Sequence, residues 1–122
     1  MHNLDTLLAG LRAAGEHTRL RILILCSRGE LSVSELVQIL GQSQPRVSRH
    51  LKLMVEAGLL ERLPEGAQVY FRVSDLNATS SLAHALIALI PETDNLLVRD
   101  MSRLDQVRDS RAKKAQDYFQ QV

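Results

Sequence analysis

Apolar positions recur with a helical period over most of this 122-residue chain and with a period of two in one short stretch. Leu4, Leu7, Leu8 and Leu11 share one side of a helix over residues 3–14, which Gly15 breaks. Residues 18–27 follow, with Thr18 as a candidate cap. Leu20, Ile22, Leu23, Ile24, Leu25 and Cys26 are almost continuously apolar, as in a helix at the centre of a core. Leu31-Ser32-Val33 is a very short extended piece. A helix from Ser32 or Val33 to Leu40 turns Leu36, Ile39 and Leu40 inward, and Gly41 closes it. Ser43 caps the next helix, Pro45 sits in its first turn where a missing N–H is harmless, and Gly58 ends it. Val47, Leu51 and Met54 form its apolar stripe. Leu59–Leu63 and Gln68–Val73 are β-rich runs around the turn residues Pro64-Glu65-Gly66-Ala67, a hairpin with Leu60, Val69, Phe71 and Val73 inward and Arg62, Gln68, Tyr70 and Arg72 outward. Leu76, Leu82, Leu86, Leu89 and Ile90 mark a strongly apolar helix that Pro91 ends. A charged amphipathic helix from Asn95 to Tyr118 either packs on a partner or runs out from the body.

Two helices joined by a tight Gly-containing turn make a helix-turn-helix, and a hairpin directly after the second makes a wing. The fold class is therefore mainly α with a small β-hairpin. Residues 1–90 form the body, and 91–122 are a C-terminal amphipathic helix.

Charge sharpens this picture locally. The formal net charge is only +1, yet Arg46, Arg49 and Lys52 fall in a run from Gln42 to Val55 that contains no acid. A solvated surface helix can carry the same pattern; the partner helix before it and the hairpin after it favour double-stranded DNA. Arg forks onto guanine, Gln pairs with adenine, and Ser, Lys and Arg hold phosphates. Gln44, Arg46, Ser48, Arg49 and His50 are the candidate contacts to base edges or adjacent phosphates, and Lys52 is a phosphate contact. Arg62, Gln68 and Arg72 are the candidates on the wing. With two Tyr, two Phe and no Trp, the chain lacks the stacking platforms of a single-strand binder. An enzyme is not indicated: no nucleophile–base pair, paired carboxylates, metal cluster or phosphate loop stands out. Cys26 is the single cysteine, which excludes an internal disulfide, and it reads as a buried hydrophobe. There is no signal-like start and no run near the ~20 apolar residues of a membrane span. The expected location is cytoplasmic.

The segments Leu11–Val73, and above all HTRLRIL at 17–23, QPRVSRHL at 44–51 and EAGLL at 56–60, resemble the ArsR/SmtB bacterial repressors. That resemblance implies a homodimeric winged helix joined through its first and last helices, with two reading helices on an inverted-repeat operator, and repression relieved by an effector. The chain departs from the metal-sensing branches. Leu31–Leu36 carries serines where the arsenic, cadmium and lead sensors carry a Cys-x-Cys pair, and hydroxyls do not replace soft thiolates. His84, Glu92 and Asp94 are too few for the zinc or nickel site. Neither a metal nor a cofactor is expected within this chain. The stretch from Pro91 to Phe119 resembles the linker helix of ArsR-type regulators fused to an S-adenosylmethionine-dependent methyltransferase domain. This second resemblance implies the DNA-binding part of a longer regulator, its effector S-adenosylmethionine or S-adenosylhomocysteine held in a further domain.

Overall fold

The computed structural model describes residues 3–75 and 79–120. The elements succeed one another as α1 (Leu4–Ala14), α2 (His17–Ser27), β1 (Leu31–Ser32), α3 (Val33–Leu40), α4 (Gln44–Glu56), β2 (Leu60–Glu65), β3 (Gln68–Val73), α5 (Ser80–Leu89) and α6 (Asn95–Gln120). Leu76, expected to open the fifth helix, lies outside the described residues.

Local chemistry explains most boundaries. Asn3 Oδ1 accepts from the Thr6 N–H at 2.9 Å and starts α1. The cap of α2 is Glu16, whose carboxylate accepts from the Arg19 N–H at 3.0 Å, and not Thr18 as expected. Thr18 is instead buried and accepts from Gln42 Nε2 at 2.9 Å, pinning the α3–α4 turn to α2. Ser32 and Glu35 form a reciprocal capping box at α3. Gly41, at φ +67°, closes that helix in the left-handed conformation.

The core is built from α2, α3 and α4. Ile22, Leu23, Leu25, Leu36, Ile39, Val47, Leu51 and Met54 are each at most 1% exposed, and each such side chain contributes about 1.5–3 kcal/mol. Cys26 is buried among them, as expected, and burial pushes its thiol up to about 12, so it stays protonated and unreactive.

The hairpin gains a third strand. β1 pairs antiparallel with β3 (Leu31 opposite Phe71, Ser32 opposite Tyr70), so the order is β1-β3-β2. The strands of the hairpin run closer to its tip than expected, leaving a two-residue loop, Gly66-Ala67. Gly66 has φ +61°, and no non-glycine residue among those described has a positive φ, which is the arrangement of a type II′ turn. Pro64 is tolerated because β2 is an edge strand.

The outer helices behave differently from the core. In α1 the small residues Gly10 and Ala14 face the body, and a Cβ at Gly10 would lie 2.6 Å from Leu82 of α5. The leucines are turned out: Leu4 is 82% exposed, and Leu7, Leu8 and Leu11 are 45%, 43% and 43% exposed. In α5 Leu89 is exposed as well.

The first half of α6 packs on α2 and α3, and residues 108–120 are all exposed. Leu97, Leu104 and Val107 are buried. Asp100, fully buried, takes a two-pronged ion pair from Arg21 of α2 at 2.7 and 2.9 Å. Arg103 donates to the Ile39 carbonyl at 2.9 Å, Arg108 to the Arg28 carbonyl, and Arg111 to Glu35 at 2.5 and 3.1 Å. Burial alone would raise the Glu35 carboxyl. The hydrogen bonds from Arg111 and from the Ser32 N–H, with the Arg111 charge, hold it below its ordinary value instead.

Candidate nucleic-acid interface

The candidate interface centres on α4. Ser43 Oγ accepts from the Arg46 N–H at 3.4 Å, and Pro45 occupies the first turn. At the far end the Leu59 N–H reaches the Met54 carbonyl at 2.9 Å and the Gly58 N–H the Val55 carbonyl at 3.0 Å. With Gly58 at φ +80° this is a Schellman stop. The helix is thus fixed at both ends by residues visible in the sequence.

Its buried side is Val47, His50, Leu51 and Met54. Gln44, Arg46, Arg49 and Lys52 are exposed and Ser48 is half-buried. No ion pair or side-chain hydrogen bond engages Arg46, Arg49 or Lys52 among the described residues. The first turn carries no acid, so the positive end of the helix dipole adds to the same field. Unneutralised cations on a helix held by its opposite face suit an extended anion.

The wing contributes one residue to this side. In the hairpin register Arg62 stands opposite Phe71, and Glu61 opposite Arg72, so the two arginines lie on opposite faces of the sheet. Arg62, on the face of Leu60, Val69 and Phe71, joins Ser48, Lys52 and Glu56 around the depression between α4 and the wing. The expected outward placement of Arg62 together with Gln68 and Arg72 is therefore corrected: a period of two puts Leu60 and Arg62 on the same face.

Three other candidates do not join. His50 is 6% exposed, and its Nδ1 lies 3.1 Å from Arg19 Nη1 and 3.8 Å from Glu16 Oε2. It points into the protein, which corrects its assignment as a base contact. Arg72 points to the face away from α4 and pairs with Glu61 at 2.8 Å, with Glu30 at 3.6 Å. Its charge is already answered. Gln68 lies near the tip but on the Arg72 face, in a recess with Tyr70, Arg111 and Lys114. Of the nine candidates, the structure brings together Gln44, Arg46, Ser48, Arg49, Lys52 and Arg62. Arg19, which the sequence did not single out, proves to touch the back of this helix; its side chain also donates to the Ala13 carbonyl at 2.5 Å.

Two helices around a tight turn, an α4 with one buried and one cationic side, and a hairpin on its heels define a winged helix-turn-helix. Comparison with known proteins agrees. The family model described as bacterial regulatory protein, arsR family, matches residues 16–62. The arsenical resistance operon repressor of Escherichia coli K12 is 48% identical over 60 residues, covering 48% of this chain and 51% of the repressor. An uncharacterized HTH-type transcriptional regulator from Methanocaldococcus jannaschii is 32% identical over 65 residues, covering 52% of this chain and 73% of its own length. Among solved structures, the homodimeric winged helix-turn-helix DNA-binding domain of a possible ArsR-family regulator from Mycobacterium bovis superposes with a TM-score of 0.62. It is 28% identical, covering 70% of this chain and 75% of that one. The chain belongs to the ArsR family of bacterial regulatory proteins. It spans 49–57% of the length of the resistance-operon regulators from Escherichia coli, Streptomyces lividans and Pseudomonas putida that it matches.

Proposed function

We propose that the chain is a DNA-binding transcriptional repressor that works as a homodimer and needs no metal within these residues. The observation that carries this reading is the cationic side of α4, where Arg46, Arg49 and Lys52 form no ion pair among the described residues and Arg62 of the wing stands beside Lys52. Gln44, Arg46, Ser48 and Arg49 meet base edges or adjacent phosphates in the major groove; Lys52 and Arg62 hold phosphate. Gln68 and Arg72 of the wing are secondary contacts at most, since the first faces α6 and the second is paired.

The exposed leucines of α1, beside α5 through the close contact of Gly10 and Leu82, support a dimer seam of α1 and α5. The solved relative from Mycobacterium bovis is homodimeric. Sedimentation of Leu7→Glu/Leu11→Glu is expected to give a monomer.

Serine hydroxyls at the start of α3 support a reading without the thiolate metal site. Ser32 Oγ is occupied by the Glu35 N–H and by Ser34 Oγ at 3.2 Å. Regulation by a soft metal ion at that place is not part of the proposal.

Selection of bound duplexes from a random library is the test. Enrichment of an inverted repeat with half-sites about one helical turn apart is expected. Failure to enrich any sequence, with only weak salt-sensitive binding, overturns the reading.

A second reading keeps the same interface in a regulator carrying a methyltransferase domain that senses or uses S-adenosylmethionine. Exposed Tyr118 and Phe119, stacked edge to face at 5.6 Å on the free end of α6, favour a further body docked there. A native gene product of 13.7 kDa would rule this out.

A further inference from the structure

Arg19 ties α1, α2 and α4 at a single point. Its backbone N–H is held by Glu16 at the start of α2. Its Nε donates to the Ala13 carbonyl in the last turn of α1 at 2.5 Å. Its Nη1 lies 3.1 Å from Nδ1 of His50 on the buried side of α4. A guanidinium has donors only, so His50 Nδ1 must accept, which requires the neutral imidazole with its proton on Nε2. The outer side of α1 carries the leucine stripe and the outer side of α4 the proposed DNA contacts, and the bond lies between the two.

We infer that Arg19 and His50 form a joint that fixes the reading helix against the dimer-forming helix, and that the joint holds only while His50 is neutral. This rests on the DNA-binding, dimeric reading above. Both are positioning residues: neither touches DNA.

The surroundings of His50 set the direction of its response. Burial disfavours the imidazolium most. Glu16 on α2 acts against this, while Arg19 on α2 and Arg49 and Arg46 on α4 act with it, and the net effect is a value below the ordinary 6.5. The joint is therefore intact at neutral pH and is lost as pH falls through that lowered value. On protonation the acceptor becomes a donor that faces the Arg19 guanidinium, and the Glu16 carboxylate, 3.8 Å from the same nitrogen, draws it away from Arg19. Acidification otherwise adds positive charge to the protein and strengthens phosphate binding. A loss of specific affinity on acidification thus runs against the general trend.

The test uses the full chain, the duplex selected above, and a pH series from 8 to 5. Wild type is expected to keep its specific affinity at neutral pH and to lose it by about tenfold or more as pH falls through the lowered His50 value, the size of a hydrogen bond to a charged group. In His50→Asn the amide oxygen stands where Nδ1 stood and does not titrate, so affinity is kept and the profile no longer falls. In His50→Phe the acceptor is gone: specific affinity is about tenfold weaker at pH 8, while the salt slope stays that of wild type. His50→Asn tracking the wild-type profile, or His50→Phe binding as wild type at pH 8, overturns the proposal. A second measurement needs no DNA. Imidazole nitrogen shifts of the free protein at pH 7 should show His50 protonated on Nε2 alone, and Arg19→Met should abolish that preference. A proton on Nδ1 overturns the joint even if no duplex is ever found to bind; failure to bind duplex with the Nε2 tautomer present overturns only the DNA-binding reading.

Discussion

α4 and α6 both carry several arginines, and they use them in opposite ways. Arg46 and Arg49 on α4 have no acid and no carbonyl within reach among the described residues. On α6, Arg103, Arg108 and Arg111 are each spent on the body, against the Ile39 carbonyl, the Arg28 carbonyl and Glu35. Net charge does not separate the two, since the whole chain is balanced to within one charge; locally, the run from Gln42 to Val55 holds no acid while α6 interleaves Asp100, Asp105, Asp109 and Asp117 with its cations. What separates them is whether the folded protein supplies a partner. A cation left without one is available for phosphate; a cation with one is a fastener.

Substitutions test that division, and the largest effect is expected at the fastener. Asp100→Ala leaves Arg21 buried without its counter-charge and should cost about 3–5 kcal/mol in urea unfolding. The remaining folded protein should keep its salt dependence of DNA binding. Arg46→Ala should weaken binding to the selected operator by about 1–3 kcal/mol while changing random-duplex binding little, in a competition assay. Equal losses on both duplexes would make Arg46 a phosphate contact. Ser32→Ala removes the capping box at the first helix of the motif and is expected to cost about 1 kcal/mol of stability. A pH effect isolates the Glu35–Arg111 fastener. Because the folded-state value of Glu35 lies below its ordinary 4.5, the pair stabilises above that pH and the contribution vanishes as pH falls through the lowered value. The stability difference between wild type and Arg111→Gln should therefore shrink toward zero on acidification below pH 4.5. Arg72→Ala should have the smallest effect. Its charge is exposed and answered by Glu61 and Glu30, so operator affinity should stay at the wild-type value.

The parts of the fold that were legible are those written in short-range chemistry. Ser43, Pro45 and Gly58 marked α4 to within a residue, and Val47, Leu51 and Met54 named its buried stripe. The wing followed from two β-rich runs around turn residues. His50 was misplaced because its polarity outweighed its position: residue 50 falls three after Val47 and four before Met54, squarely on the buried stripe. Arg62 was misplaced in the same way, its charge outweighing the strand period that joins it to Leu60. The pairing of β1 with β3 and the Arg21–Asp100 bridge left no local signal. The bridge joins residues 79 apart, and only the docking of α6 on α2 brings them together. The outward leucines of α1 belong to a third kind. Their stripe was visible, but a stripe does not say whether its own chain covers it; Gly10 and Ala14, the small residues opposite, face the body and leave the leucines turned out.

The most direct test of the claim that α4 supplies the phosphate-facing charge is the salt dependence of duplex binding in two double variants. Arg49→Gln/Lys52→Gln removes free cations, and Arg108→Gln/Arg111→Gln removes fastened ones. The slope of log affinity against log salt is expected to be shallower by about 0.9 per lost phosphate contact in the first variant and unchanged in the second. An unchanged slope in the first, or an equal loss in both, would contradict the claim.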